Sequence, residues 1–108
     1  MNEFYGIWIR EGVDARVAFN DITKNGKGIY LYLAPKLAIH YNNIYDNVEY
    51  NIAMAEENPN NVDATENWWG MINQKIIADK IFDKAADESL GKVTFEPFMN
   101  IKVTGTIK

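Results

Sequence analysis

Gly6-Ile7-Trp8-Ile9 is answered 22 positions later by Gly28-Ile29-Tyr30-Leu31, and this repeat decides the fold. The same offset pairs Val17 with Ile39, Phe19 with Tyr41, Asn20 with Asn42, Ile22 with Ile44 and Asn25 with Asn47. That makes five identities and four conservative pairs in one window, against about one or two identities expected at average residue frequencies. A looser third copy follows at an offset of 23, with Asn51-Ile52-Ala53-Met54 on the Gly-Ile-x-Leu segment and Val62-Asp63-Ala64 on Ile39-His40-Tyr41.

Ile7 and Ile9, Ile29 and Leu31, and Ile52 and Met54 alternate with period two, so each segment reads as a strand with these side chains on one face. A second strand per unit reads Val17-x-Phe19 and Ile39-x-Tyr41, with Ile22 and Ile44 as a third inward contact. Ile7, Ile9, Val17, Phe19, Ile22, Ile29, Leu31, Ile39, Tyr41 and Ile44 are therefore the predicted core. Turn formers separate the strands, among them Gly12, Asp14, Asn20, Asn25, Gly26, Pro35, Asn42, Asp46 and Asn47. No window of 10–12 residues here holds a helical period. Three short strands in about 22 residues is the spacing of a parallel β-helix coil, in which like residues stack. Asn20 over Asn42 and Asn25 over Asn47 would then sit at tight corners, where asparagine tolerates a left-handed backbone, and their amides could form ladders. Independent turn asparagines are the alternative.

The Gly-Ile-x-Leu…Ile-x-x-Asn-x-Ile units resemble the right-handed parallel β-helix repeats of the pectate-lyase-like superfamily, including NosD-type and prokaryotic surface proteins. Asn61-Val62-Asp63-Ala64-Thr65-Glu66-Asn67-Trp68-Trp69-Gly70 is similar to a signature near the C-terminal end of such domains. In those relatives an isoleucine-rich acidic segment and a Leu-Gly-x-Val-x-x-x-Pro-Phe ending follow; here these are Lys75 to Asp83 and Leu90 to Phe98. The resemblance covers nearly the whole chain and implies an all-β solenoid of about three coils. It departs from its relatives in size, since they stack many coils. Residues 6–70 are expected to form the coils and 71–108 a capping segment with terminal strands, all in one domain.

Ile76 to Asp87 reads as a short amphipathic helix with Ile77, Ala78, Ile81, Phe82 and Ala85 on the buried face. Asp79, Lys80, Asp83, Lys84 and Asp87 are on the wet face. Val93-x-Phe95 is a final strand stopped by Pro97, and Asn100 to Lys108 alternates like one more edge strand. Met1 to Tyr5 is too short for a helical cap. The first coil should therefore expose Ile7, Ile9, Val17 and Phe19, and the chain is expected to form a homo-oligomer through its N-terminal coil.

The composition excludes several functions. Cysteine is absent, which removes disulfides, thiolate metal sites and cysteine nucleophiles. A net charge of −4 without a basic patch repels nucleic acid. No apolar run reaches membrane-spanning length, and the N-terminus has neither region of a signal peptide. His40, the only histidine, reads as a solvated strand residue with no second ligand for a metal. Asp79, Asp83 and Asp87 recur at helical spacing but are neutralised by Lys75, Lys80 and Lys84. Glu56, Glu57, Asp63 and Glu66 share a loop and are a slightly better calcium candidate, with a solvated acidic loop the preferred reading. No metal and no cofactor is expected. Trp68 and Trp69 cannot point the same way, so one should pack into the core end and the other cover the closing segment.

Trp8, Arg10, Tyr30 and Tyr32 are the outward residues of the first strand stack, an aromatic strip flanked by a cation. Flat aromatics suit the apolar faces of sugar rings, and these four residues are the candidate carbohydrate-binding site. Cross-strand packing or an oligomer contact is the competing reading. With no acid–base cluster on the repeat face, the chain reads as a non-catalytic structural or interaction module. The parent protein is expected to be extracellular or at a cell surface. The alternative is a fragment of a carbohydrate-active enzyme, a polysaccharide lyase or glycoside hydrolase, whose catalytic residues lie in other coils.

Overall fold

The computed structural model describes residues 5–10, 14–32, 36–55 and 59–104. Gly12, Pro35, Glu56, Glu57, Met1 to Phe4 and the end of the expected last strand lie outside them.

The chain winds through three parallel sheets. β1 (Tyr5–Ile9), β4 (Lys27–Leu31), β7 (Tyr50–Met54) and β9 (Ile81–Phe82) form the first, in that order. β2 (Asp14–Ala18), β5 (Lys36–His40), β8 (Val62–Asp63) and β10 (Val93–Thr94) form the second, and β3 (Asp21–Ile22) with β6 (Asn43–Ile44) the third. The 22-residue repeat is the physical register, since Ile7 lies beside Ile29, Ile9 beside Leu31, Val17 beside Ile39 and Ile22 beside Ile44. Ile29 continues to Ile52 and on to Ile81, giving an isoleucine column through the first sheet. Ile29, Leu31, Ile39, Ile44 and Ile52 are fully buried. Each coil puts a few apolar side chains inside, and stacking like on like removes them from water at about 25 cal/mol per Å² of apolar surface.

Phe19 and Tyr41 are not core residues. They are exposed, stacked on one another at 5.7 Å between centroids, and both have left-handed backbones, with φ of 59° and 60°. The strand alternation ends one residue before them because the chain turns there. Glu66, in the next coil, has φ of 64°, and Lys24 and Asp46 do the same at the other corner. In every case the left-handed residue precedes an asparagine, so the asparagines support these corners from inside rather than adopting that conformation themselves. Each amide donates to the carbonyl two residues back, as from Asn20 to Ala18, Asn25 to Thr23 and Asn67 to Thr65. The oxygens of Asn42, Asn47 and Asn67 accept from the asparagine one coil earlier. Asn20 donates from its backbone N–H (3.0 Å) and its amide (3.1 Å) to Asn42 Oδ1, and Asn25 does likewise to Asn47 Oδ1. Asn42 repeats the pattern on Asn67.

The third coil is longer than the expected offset of 23. Asp63 lies beside Ala38, so Val62, Asp63 and Ala64 align with Leu37, Ala38 and Ile39, two residues from the sequence alignment. A shift of two preserves the inward face, and Val62 and Ala64 are buried. Asn43 bridges Trp68, which puts Trp69 on the Ile22–Ile44 column. Trp69 is buried edge-on to Phe95, while Trp68 is half-buried.

The expected helix is displaced and shorter. α1 spans Gln74–Asp79, starts at the Asn73 side chain, which accepts from Ile76 N–H, and buries only Ile77. Ile81 and Phe82 leave it to join the first sheet as β9, pulled by pairing with Ile52 and Ala53. Asp83 is not on a wet face. It is buried, with its carboxylate accepting from Val93 N–H at 2.7 Å and Ala85 N–H at 3.1 Å, and so ties β9 to β10. The segment after Phe98 forms no strand among the described residues. Val103 is buried instead, and its N–H and carbonyl both pair with the Asn43 amide at 2.7 Å.

The first coil exposes less than its sequence suggests. Ile9, Val17 and Ile22 are buried and Ile7 is half-buried. Of the expected apolar face only Phe19 is exposed, and it points away from the bore.

Candidate functional site

Parallel register puts Trp8, Tyr30, Ala53 and Phe82 in one row on the outer face of the first sheet. Residues two positions further on follow the same alternation, so Arg10, Tyr32 and Ala55 make a second row. Tyr32 N–H donates to Ile9 and Ala55 N–H to Leu31, which continues the ladder to that row.

The four residues singled out in the sequence come together. Trp8, Arg10, Tyr30 and Tyr32 line one open hollow of about 520 Å³ with Tyr5 and Ala55. Trp8 is 53% exposed and Tyr32 36%, whereas Tyr30 is half-buried. The Arg10 guanidinium lies 5.4 Å from the Trp8 ring centre, and among the described residues no carboxylate forms an ion pair with it. Trp8 and Tyr30 are 6.4 Å apart and tilted by 52°, so they form a stepped shelf rather than a flat strip.

Tyr5 and Lys27 belong to the same surface and were missed in the sequence. Tyr5 lies parallel to Tyr30, 4.7 Å between centroids, and covers one of its faces. Lys27 sits 5.9 Å from the Tyr5 ring and 5.8 Å from Tyr30, and is paired with Glu49 at 3.1 Å. The signal was available, because Tyr5 and Lys27 stand at the 22-residue offset.

A second hollow of about 300 Å³ adjoins the first and shares Tyr30 and Ala55 with it. Lys27, Tyr50, Ala53, Phe82, Asp87 and Leu90 also line it. Both alanines are buried.

The other candidates resolve as structure. His40 is not freely solvated: its Nδ1 lies 2.7 Å from the Thr65 carbonyl and its Nε2 3.6 Å from Asp63 Oδ2. Asp63 also accepts from the Thr65 N–H and hydroxyl, so the trio ties the second coil to the third. Among the described residues no group of three or more His, Asp or Glu side chains is placed to hold a metal. No helix of the described residues is long and apolar enough to cross a membrane. The Asp87 carboxyl is held below its ordinary pKa by the Ser89 hydroxyl and the Ser89 backbone N–H.

No curated protein and no solved structure matches the chain. Residues 2–70 do match the family model described as a right-handed β-helix region. That match takes in the whole isoleucine column as far as β7 and both asparagine ladders. By its stacked register and by that match, the chain belongs to the right-handed β-helix family.

Proposed function

We propose that this chain is a non-catalytic structural and interaction module of a pectate-lyase-like surface or secreted β-solenoid, and that it binds polysaccharide weakly through Trp8, Arg10, Tyr30 and Tyr32. The observation carrying this reading is the convergence of those four side chains on one open hollow, with a guanidinium beside an exposed indole and without a carboxylate partner among the described residues. Such a surface offers an apolar ring face together with a donor for hydroxyl or carboxylate, the pairing that sugars require. Titration with acidic and neutral oligosaccharides, followed by tryptophan fluorescence, tests the reading. The expected result is a saturable change at millimolar ligand that disappears in Tyr32→Ala, which keeps the Trp8 indole as reporter. An unresponsive wild-type protein contradicts it.

The segment from residue 71 onward acts in this reading as the closing piece of the stack. Ile77 packs into the core, and Val103 lies over the β6 corner. At the other end, β1, β2 and β3 are the outermost strands of their sheets, and a second copy pairs with them, giving a two-fold dimer. With Ile9 and Val17 buried, the drive for that pairing is strand edges that have no neighbouring strand among the described residues, rather than an apolar face.

A further inference from the structure

The closing segment carries a hollow of its own, about 300 Å³ in volume, which shares no residue with the two hollows described above. We infer that it is a separate binding site for a small amphiphilic carboxylate, one aryl ring or short alkyl chain bearing a single anionic group.

Its apolar lining comes from Ala78 of α1, Ile81 of β9, Ala85 of the turn that follows, Val93 of β10, and Phe95. Ile81 and Val93 are buried members of the core, Phe95 is half-buried, and Ala78 and Ala85 are exposed. Apolar surface left in water here is worth about 25 cal/mol per Å² to a ligand that covers it. The volume is at the lower end of small-molecule sites, which suits one ring or a short chain. The loop that shapes the hollow is pinned at both ends. Asp83 accepts from Ala85 N–H at 3.1 Å and from Val93 N–H at 2.7 Å, and Lys84 N–H donates to the Gly91 carbonyl at 2.9 Å. The hollow is thus pre-formed, and binding orders little further chain.

Charge selects the ligand class. The remaining lining residues are Asp83, Lys84 and Lys92. Asp83 is buried with both oxygens engaged by those two N–H groups, so it is not free to hold a cation. Lys84 and Lys92 are exposed, and among the described residues neither forms an ion pair. Lys84 Nζ donates to the Glu88 carbonyl at 3.4 Å, a neutral partner that leaves its charge uncompensated. Two such cations beside an apolar hollow, on a chain of net charge −4, are complemented by an anion with an apolar body.

The test is titration of the full chain, with its alanine methyl groups labelled for nuclear magnetic resonance. The probes are 3-phenylpropionate and hexanoate, set against the matching alcohols 3-phenylpropanol and hexanol. The Ala78 and Ala85 signals should shift and saturate at millimolar carboxylate, with Ala38 of β5 unmoved. The carboxylates should bind about threefold more tightly than the alcohols at low ionic strength, a preference that salt reduces. Lys92→Met and Lys84→Met should each diminish that preference and leave the alcohol affinity unchanged. Ala85→Leu fills the hollow and should abolish the response at Ala78; Ala78→Leu, at an exposed helical position, should abolish it at Ala85 and stands in if the first variant folds poorly. Ala78 and Ala85 signals indifferent to all four probes overturn the site. Equal affinity for acid and alcohol, or a preference that survives both lysine variants, overturns the carboxylate assignment.

Discussion

Asn42 touches three coils at once. Its amide nitrogen donates to Val17 in the coil before, to His40 in its own and to Asn67 in the coil after, and its oxygen accepts two bonds from Asn20. It is fully buried, so removing the side chain strands several of these groups without water. Each orphaned buried group costs about 1–3 kcal/mol, and Asn42→Ala should lose at least that much in chemical denaturation. A loss no greater than that of an exposed position such as Thr94 would argue against a ladder. The repeat glycine has a related cause. A Cβ on Gly28 would lie 2.5 Å from the Asn51 carbonyl and 2.8 Å from Asn47 Nδ2. Gly28→Ala should therefore lower stability by about 1–3 kcal/mol. Asn51 replaces the glycine in the next coil, and its side chain accepts from Asn47. The asparagine pairs were legible because identical residues recur at one offset. Phe19 and Tyr41 were not, because alternation says nothing about where a strand ends and the backbone turns left-handed.

At the level of elements, local pattern and pairing compete. Residues 76–87 have a helical apolar spacing, yet the helix stops at Asp79 because Ile81 and Phe82 gain a parallel partner in β7. Propensity over six residues is a weak prior beside such pairing. No sequence cue marked Asp83 as buried, since its partner Val93 N–H is ten residues away. Asp83→Ala leaves that N–H unpaired and should loosen β10, seen as faster hydrogen exchange at Val93 with β4 unchanged. Asp87 gives a pH signature in the adjoining turn. Its folded pKa lies below the unfolded value, so the contribution is present above the ordinary carboxylate value and is lost as pH falls through the lowered one. Acidification should lower the protection of the Ser89 amide relative to its intrinsic exchange rate at each pH, and Asp87→Ala should reproduce this at neutral pH. An Ser89 amide indifferent to both changes would refute the assignment.

For the whole molecule, the stack and its ends set behaviour. Truncating the isoleucine column at its centre, as in Ile29→Ala, opens a cavity between two coils and should cost about 2–5 kcal/mol. The strand edges of the first coil give the proposed dimer, so sedimentation at micromolar concentration should find twice the 12.4 kDa chain mass. A monomer at all concentrations contradicts it. The period, the sheet direction and the shelf residues could all be read from the sequence, because stacking copies one coil onto the next. The place of Phe82 in the Trp8 row could not, because that residue reaches the row from outside the repeat.

The parallel stack itself is tested most directly by contacts between isoleucine and leucine methyl groups in solution. Selective methyl labelling should show Ile7 against Ile29, Ile9 against Leu31, Ile29 against Ile52 and Ile52 against Ile81. Antiparallel pairing of the first two strands would instead bring Ile9 to Ile29 and Ile7 to Leu31, and that pattern would contradict the fold.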